Sequence, residues 1–347
     1  MKKIAIMGAG GFGTSLALIL SRLGHQITLW DIDKQLIKRW QKLGKSDRYP
    51  YLSKHRFPDS ISLVSTGKID SSFFDFVIIS SSMQGIIPTL GHLKHRTNTP
   101  LVLIQKGMLP GLISPEEIAK KKFPHTPVLQ FTGAAFAKDI ANGSPAGMMV
   151  IYNRSDENVA KKYANLFRGS NLWVDTCTDI RGVNIHNTLR TIASFEQGFV
   201  YGYFENKSGR KPPISSIAIT FSAISQETKL IARALGATKE IHDIGSKAYR
   251  MIEADLMLCQ NDTSRNFALG HMVGKGMGFN SAKNHLTQGV AECVNNIKSI
   301  SSTLQKTNLH SRKDDPYPYL AASVALLKGK TIDEVMQSVI AHHQHHS

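Results

Sequence analysis

Six residues near the N-terminus combine the residue types and the spacing that bind a diphosphate. The run GAGGFG at residues 8–13 fits the pattern G-x-G-x-x-G. In this pattern the first glycine permits a tight turn, the second lets the backbone approach the phosphates, and the third lets a helix pack on a strand. The helix N-terminus then faces the anion, whose charge its dipole favours. The predicted cofactor-binding residues of this turn are Gly8, Gly10, Gly11, Phe12 and Gly13.

An acidic residue follows at the distance that suits a nucleoside ribose. Asp31 lies 18 residues beyond Gly13, at the end of a second apolar run. A carboxylate there accepts hydrogen bonds from ribose hydroxyls and repels a ribose phosphate. Since no arginine or lysine follows before Lys34, the sequence favours NAD over NADP. The alternative is that Asp31 is only a solvated loop acid.

The elements that position these residues read as one βαβ unit. A short β-rich run at 3–7 precedes the glycine turn, an apolar-periodic helix is predicted over 14–23, and a second strand over 26–30. Strands then alternate with helices, which indicates a mostly parallel, doubly wound sheet. The further predicted strands are 76–80, 101–105, 128–131, 145–152 and 172–174, with helices at 84–93, 115–122 and 157–167.

The pattern changes near Gly182, where apolar residues begin to recur at helical spacing. The sequence therefore predicts an α/β Rossmann-type doubly wound domain over 1–180 and an all-α domain over 181–340. Residues 341–347 form a His-rich tail, expected to be frayed and solvated, although such a tail could also hold a metal ion. The predicted helices are 183–201, 214–235, 239–254, 267–273, 290–307, 317–327 and 331–343.

The composition limits the partners. Lysine plus arginine number 42 and aspartate plus glutamate 26, a net charge of +16 and a pI near 9.7. This balance suits anionic ligands, but the excess is spread along the chain without an aromatic-interleaved basic motif, so dedicated nucleic-acid binding is not expected. Neither a cleavable leader nor the roughly 18 apolar residues of a membrane helix is recognised. The three cysteines, Cys177, Cys259 and Cys293, are widely separated, which predicts free thiols in a reducing compartment. Together these features predict a cytoplasmic protein that does not insert into a membrane.

Over almost its whole length the chain resembles the NAD-dependent glycerol-3-phosphate dehydrogenase family, through short motifs in a fixed order. The Ser-Arg-Asn and Gly-x-x-Phe-Ala-Lys elements are the most distinctive. The matching pieces are Gly8–Gly13; Tyr51-Leu52 with Phe57–Asp59; Lys106–Met108; Gly133–Asp139 with Gly143 and Pro145; Gly182-Val183; Asp255-Leu256; Ser264–Asn266; and Lys328–Lys330.

The resemblance implies roles for individual residues. It places Lys106 between cofactor and substrate, where an ammonium polarises a carbonyl and stabilises the alkoxide formed by hydride addition. It implies that Asp255 is an active-site aspartate and that Arg265 and Asn266 bind the substrate phosphate. Gly133 is a further implied substrate residue. The implied cofactor contacts beyond the glycine turn are Lys106, Ala137, Arg265 and Glu292.

The chain departs from the family on the first helix of the second domain. The family has a small-residue pair followed by a Lys-Asn pair, whose lysine donates and accepts the proton. Here Arg190 and Thr191 replace the second pair, and His186 and Asn187 replace the first. Arginine stays protonated and is a poor general acid or base. His186, four residues before Arg190, is a conceivable substitute; the alternative is a packed structural histidine.

These observations predict a dehydrogenase that interconverts dihydroxyacetone phosphate and glycerol 3-phosphate with NAD. Lys106, Arg190 and Asp255 are its predicted catalytic residues, and its product would serve glycerophospholipid synthesis. The resemblance also implies a homodimer. Two alternatives stay open, a related NAD-dependent reductase of another keto substrate and an NAD-binding paralogue with little catalysis.

Overall fold

The chain forms two compact units. The computed structural model describes residues 1–65, 67–95, 99–258, 260, 264–286, 291–306 and 317–346. Cys259 and the predicted helix bounds at 290 and 307 lie outside the described residues. The first unit comprises Met1–Gly107, Ile113–Ile180 and Asp243–Ala254, and the second comprises Met108–Leu112, Arg181–His242 and Asp255–Ser347. The domain boundary expected after residue 180 coincides with a boundary between the two units. Residues 108–112, expected in the first domain, lie in the second unit, and residues 243–254, expected in the second domain, lie in the first unit.

The first unit is built on an eight-stranded sheet in the order β10-β9-β8-β7-β5-β1-β2-β3, beside a two-stranded sheet of β4 and β6. All neighbouring pairs are parallel except β8 with β9, which are antiparallel. The strands are β1 (Lys3–Met7), β2 (Gln26–Trp30), β3 (Ile61–Val64), β4 (Ile69–Asp70), β5 (Phe76–Ile79), β6 (Leu93–Lys94), β7 (Leu101–Leu103), β8 (Val128–Thr132), β9 (Ala146–Ile151) and β10 (Leu172–Cys177).

Helices cover both faces of this sheet, because successive side chains of a strand point to opposite faces. In β1, Ile4 and Ile6 belong to one apolar cluster, whereas Ala5 and Met7 belong to another. The helices of this unit are α1 (Gly11–Arg22), α2 (Lys34–Leu43), α3 (Ile86–Gly91), α4 (Pro115–Lys122), α5 (Ala137–Ala141) and α6 (Glu157–Ala164). The first cluster takes its helical side chains from α1, α2, α5 and α6, and the second from α3 and α4.

The second unit is helical in its described residues. Its central element is α7, whose side chains are buried almost continuously from Gly182 to Val200. The helices are α7 (Ile180–Ser208), α8 (Ile214–Ala234), α9 (Lys247–Leu258), α10 (Arg265–Gly274), α11 (Phe279–His285), α12 (Cys293–Lys306), α13 (Pro318–Leu327) and α14 (Ile332–His346). The first part of α9 belongs to the first unit and its last turn to the second.

Two glycine pairs bring α7 and α10 into backbone contact. Gly198 and Gly202 on α7 face Gly270 and Gly274 on α10. A Cβ at any of these four positions would come within 3.1 Å of the backbone of the other helix. Small residues of this kind let two helix axes approach closely. The contact fixes α10, whose first turn carries Arg265 and Asn266, on α7.

The predicted fold class, a Rossmann-type doubly wound sheet followed by an all-α region, is confirmed. One predicted helix, over 239–254, is wrong in its first half. A 3-10 turn spans Lys239–Ile241, and Asp243 Oδ1 then accepts a hydrogen bond from Gly245 N at 3.0 Å, which closes a turn. The helix restarts where Ser246 Oγ accepts Tyr249 N at 2.9 Å.

The expected frayed tail is also wrong over 341–346, because α14 runs to His346. His343 Nε2 lies 3.1 Å from the Tyr319 hydroxyl, and their rings pack 5.7 Å apart, so the helix end has a partner. None of the helices in the described part of the chain has the length and apolar character needed to cross a membrane.

Candidate functional site

The glycine turn between β1 and α1 is held by close backbone packing. Gly8 has φ of +120°, and a Cβ there would lie 2.5 Å from the carbonyl oxygen of Ser80. A Cβ at Gly13 would collide with Gly8 O and with the Ser80 side chain. Both positions therefore require glycine, the first for the turn and the other for helix-on-strand contact.

Gly10, unlike Gly8 and Gly13, lies beside open space. It is the N-cap residue of α1, and a Cβ built on it meets no atom within 4 Å. No side chain caps the helix here, and the first turn of α1 holds no acidic residue. The first N–H groups of a helix lack intrahelical acceptors, so this turn presents backbone donors toward open space. The open space and the donors fit the diphosphate of a dinucleotide.

Asp31 is hydrogen-bonded to the same turn. Its Oδ2 accepts a hydrogen bond from Ala9 N at 2.7 Å, and its Oδ1 accepts one from Asp33 N at 2.9 Å. Each carboxylate oxygen has a second lone pair, which leaves both able to accept from a ribose hydroxyl. Asp31 is thus an ordered group beside the glycine turn, not a freely solvated acid.

Lys106, Gly133 and Ala137 lie on the same edge of the sheet as the glycine turn. Lys106 and Gly133 follow the parallel strands β7 and β8, and Lys106 Nζ donates to Gly133 O at 2.7 Å. Gly133 has φ of +152°, and a Cβ there would lie 2.5 Å from Gly147 O. Ala137 begins α5, and its carbonyl accepts Ser15 Oγ at 2.8 Å. The first unit therefore gathers its predicted site residues where ligands bind in such sheets.

In the second unit the structure pairs Arg190 with Asp255. Arg190 Nη1 donates to Asp255 Oδ1 at 3.3 Å, and Nε lies 3.3 Å from Oδ2. Their side chains are 11% and 3% exposed, respectively. Arginine keeps its proton at any physiological pH, so this pair is a fixed dipole and the guanidinium stays charged. It can polarise an oxygen but cannot carry a proton.

His186 lies on the same helix, one turn before Arg190, and is 3% exposed. Its Nε2 is enclosed without a hydrogen-bond partner. Burial lowers the pKa of His186 to about 4, with Arg190 acting in the same direction and Asp255 opposing it. The imidazole is therefore neutral near pH 7. This state weakens the hypothesis that it stores the proton that the family's lysine carries.

The N-terminus of α10 presents the remaining predicted residues. Ser264 is the N-cap residue, and its Oγ lies 2.8 Å from Ser194 Oγ on α7. Arg265 follows and is exposed, while Asn266 Oδ1 accepts a hydrogen bond from Cys293 N at 3.1 Å. Glu292, also exposed, precedes that cysteine. Arg265, Asn266 and Glu292 are thus close together.

One residue of this region was not assigned a role from the sequence. The Tyr51 hydroxyl lies over Gly11, where a Cβ on the glycine would collide with it. The sequence does carry a sign of this contact, because Gly11 is a glycine at a position where the pattern G-x-G-x-x-G allows any residue. Only the fold shows which side chain fills that space.

Comparisons with known proteins agree with this geometry. Residues 3–158 match the model of the NAD-dependent glycerol-3-phosphate dehydrogenase N-terminus, and residues 254–311 match that of the bacterial NAD-dependent C-terminal domain. An Ehrlichia ruminantium protein named as an NAD(P)+ glycerol-3-phosphate dehydrogenase is 27% identical over 319 residues, 88% of this chain and 91% of its own.

Two solved structures show the same fold. The glycerol-3-phosphate dehydrogenase of Coxiella burnetii has a TM-score of 0.77 at 21% identity and covers 98% of both chains. The enzyme of Saccharomyces cerevisiae has a TM-score of 0.78 at 15% identity, over 97% of this chain and 99% of its own.

Replacing Asp255 tests the buried ion pair. Asp255→Ala leaves the Arg190 guanidinium buried without its carboxylate, so the free energy of unfolding is expected to fall by about 3 kcal/mol. Urea denaturation followed by circular dichroism measures the change. As a control, Lys207→Ala breaks an ion pair with Asp333 in which both side chains are more than half exposed, and should leave the unfolding midpoint nearly unchanged. Equal effects of the two substitutions would contradict the assignment.

Proposed function

Because this chain belongs to the NAD-dependent glycerol-3-phosphate dehydrogenase family, we propose that it transfers hydride between NAD and the pair dihydroxyacetone phosphate and glycerol 3-phosphate. The observation that carries the proposal is the glycine turn, which combines an open Gly10, a helix N-terminus and a fastened Asp31. The proposal extends to the use of the product in glycerophospholipid synthesis, as the resemblance implies.

The first unit supplies the cofactor side. The N–H groups of the α1 first turn bind the diphosphate, and Asp31 binds the adenosine ribose. The same carboxylate disfavours a ribose phosphate, which supports NAD as the preferred cofactor. Ala137 and Glu292 are proposed as further cofactor contacts, from the resemblance. The bound nicotinamide supplies or accepts the hydride.

The substrate side rests on cationic side chains. Lys106 Nζ is proposed to polarise the carbonyl of the substrate and to stabilise the alkoxide that forms from it. Arg190 adds a second fixed positive charge, oriented by Asp255. Arg265 and Asn266 are proposed to hold the substrate phosphate, a task that suits the forked donors of a guanidinium. Gly133 is proposed to contact the substrate, and its carbonyl orients the Lys106 ammonium.

Neither Arg190 nor His186 is an evident carrier of the proton that ends on the alkoxide. Arg190 stays charged, His186 is neutral and the Lys106 ammonium is held by Gly133 O, so we propose that water supplies this proton in the native protein. The two alternatives, another keto substrate admitted by His186 and Asn187 or a weakly active NAD-binding protein, follow from the same departure. They predict different responses to the experiments below.

We further propose that the protein is a homodimer located in the cytoplasm. The first half of α8 leaves Ile214 88% exposed and Ile219 67% exposed, and we propose that a second chain covers them. Cys293 is a free, buried thiol, a state that persists in a reducing compartment. Cell fractionation tests the location, and recovery outside the cytoplasmic fraction would reject it.

Activity and cofactor choice are tested together. With dihydroxyacetone phosphate, NADH oxidation is expected to proceed with kcat/KM at least about tenfold above that with NADPH, because Asp31 repels the added phosphate. Asp31→Ala should raise KM for NADH and lower the ratio of kcat/KM with NADH to kcat/KM with NADPH. Asp33→Asn is the control, because it retains an acceptor for the N–H of Leu36. Turnover of other keto substrates but not of dihydroxyacetone phosphate would favour the first alternative.

The missing proton carrier is tested by Arg190→Lys. Lysine restores a group that gives up its proton, so kcat for ketone reduction is expected to rise by roughly tenfold or more. The rate should then fall as pH rises through the pKa of the lysine, since only the protonated amine donates. The native rate should stay flat between about pH 6 and pH 9, because Arg190 does not titrate there. Arg250→Lys, on an exposed arginine 2.6 Å from Asp175, is the matched control. If the native protein already has a high kcat and Arg190→Lys lowers it, the alternative of a weakly active NAD-binding protein is rejected.

The dimer is tested by charge substitution on α8. Ile214→Lys combined with Ile219→Lys places two ammonium groups on the proposed contact, so the mass from light scattering should drop from two chains to one. Trp173→Lys changes an apolar side chain that is 64% exposed elsewhere and should leave the mass unchanged. A native chain that is monomeric at all concentrations contradicts the proposal.

A further inference from the structure

Position 11 is glycine for a reason that the dinucleotide motif does not provide. The motif requires glycine at positions 8, 10 and 13 and leaves the two residues between the last glycines free. Gly11 is the first residue of α1, directly after the N-cap Gly10. A Cβ at this position would collide with the Tyr51 hydroxyl, and its next contact, Tyr51 Cζ at 3.6 Å, is ordinary. The glycine therefore makes room for one oxygen atom.

The Tyr51 ring packs against a neighbouring ring of the same turn. The Tyr49 ring packs on it with centroids 5.6 Å apart, and the Arg48 guanidinium lies 5.7 Å from the centroid of the Tyr49 ring. Leu52, fully buried, donates its N–H to Tyr49 O at 2.9 Å, which closes the turn that carries both tyrosines. This packing positions the hydroxyl beside the first turn of α1.

We propose that the Tyr51 hydroxyl donates a hydrogen bond to the diphosphate of the bound dinucleotide, and that Gly11 is glycine so that this hydroxyl can reach it. The inference rests on the proposed function, since it adds a side-chain donor to the backbone donors of the same turn. It assigns Tyr51 and Gly11 one joint role in cofactor binding.

The chemistry of the group supports a donor. Burial raises the pKa of Tyr51 to about 12, with the neighbouring Tyr49 acting in the same direction, so the phenol keeps its proton at neutral pH. A neutral phenol donates to a phosphate oxygen without charge repulsion, and hydrogen bonds to charged acceptors are stronger than those to neutral ones. The first turn of α1 has no acidic side chain that competes for this donor.

The test is direct NADH binding, followed by the change in nicotinamide fluorescence on titration. Tyr51→Phe removes the oxygen and keeps the ring, so Kd for NADH is expected to rise about tenfold, the loss of one hydrogen bond to a charged group. Tyr49→Phe removes the equivalent oxygen from the adjacent ring and should leave Kd within about twofold. A Kd for Tyr51→Phe equal to or below the native value overturns the proposal and makes Tyr51 a packing residue.

A double-mutant cycle separates the joint role from a general effect on the helix. Gly11→Ala displaces the hydroxyl and should weaken NADH binding about as much as Tyr51→Phe does. In the Tyr51→Phe background the added methyl group meets the ring carbon and Ala137 Cβ at ordinary contact distances, so Gly11→Ala should cost little more. Additive losses in Kd would show that the two positions act independently, which overturns the pairing.

The native titration separates this inference from the proposed function. A native chain that binds no NADH rejects the proposed function and this inference with it. A native chain that binds NADH, together with a Tyr51→Phe variant of unchanged affinity, rejects the inference alone. Thermal unfolding of each variant in parallel shows whether a loss of binding reflects a loss of fold.

Discussion

The close approach of α1 to the ends of β1 and β5 is the contact on which the proposed cofactor site depends. Hydrogen is the only substituent that fits at Gly8 and Gly13, so the helix begins directly at the edge of the sheet. Its unsatisfied N–H groups then point into free space at Gly10, and Asp31 reaches Ala9 N from the neighbouring strand. Any side chain at the two packed positions would move the donors away from the anion that they are arranged to meet.

The helical unit supports a different kind of site, one made from fixed charge. Arg190 and Asp255 neutralise each other in a buried environment, and burial lowers the pKa of the neighbouring His186, so that its imidazole is neutral near pH 7. A guanidinium in this position gives steady electrostatic stabilisation over a wide pH range. What it gives up is the ability to exchange a proton with the substrate, which makes the source of that proton the main chemical question about this protein.

Sequence reasoning captured what is local and missed what is formed by packing. The glycine turn, the two strands around it and the acid at position 31 were predictable, because backbone geometry and strand ends leave short patterns. Helix α2 was not predicted, although Asp33 caps it and Trp40 lies on its buried face. The contact between Tyr51 and Gly11 joins residues 40 positions apart, and the partner of Arg190 is 65 positions away, so no local pattern reveals either pair. The resemblance suggested where Asp255 acts, but not that it binds Arg190.

The glycine contact between α7 and α10 also divides α7 into a part open to change and a part closed to it. Gly198 and Gly202 touch the backbone of α10, so even a methyl group there would force the helices apart. The four α7 positions at which the resemblance implies a departure from the family motif, 186, 187, 190 and 191, lie earlier on the helix. Selection could therefore rewrite the chemical end of α7 one side chain at a time while the crossing point kept the architecture of the unit. Such an arrangement keeps α10, and with it Arg265 and Asn266, in place on α7 when side chains at the other end of the helix change.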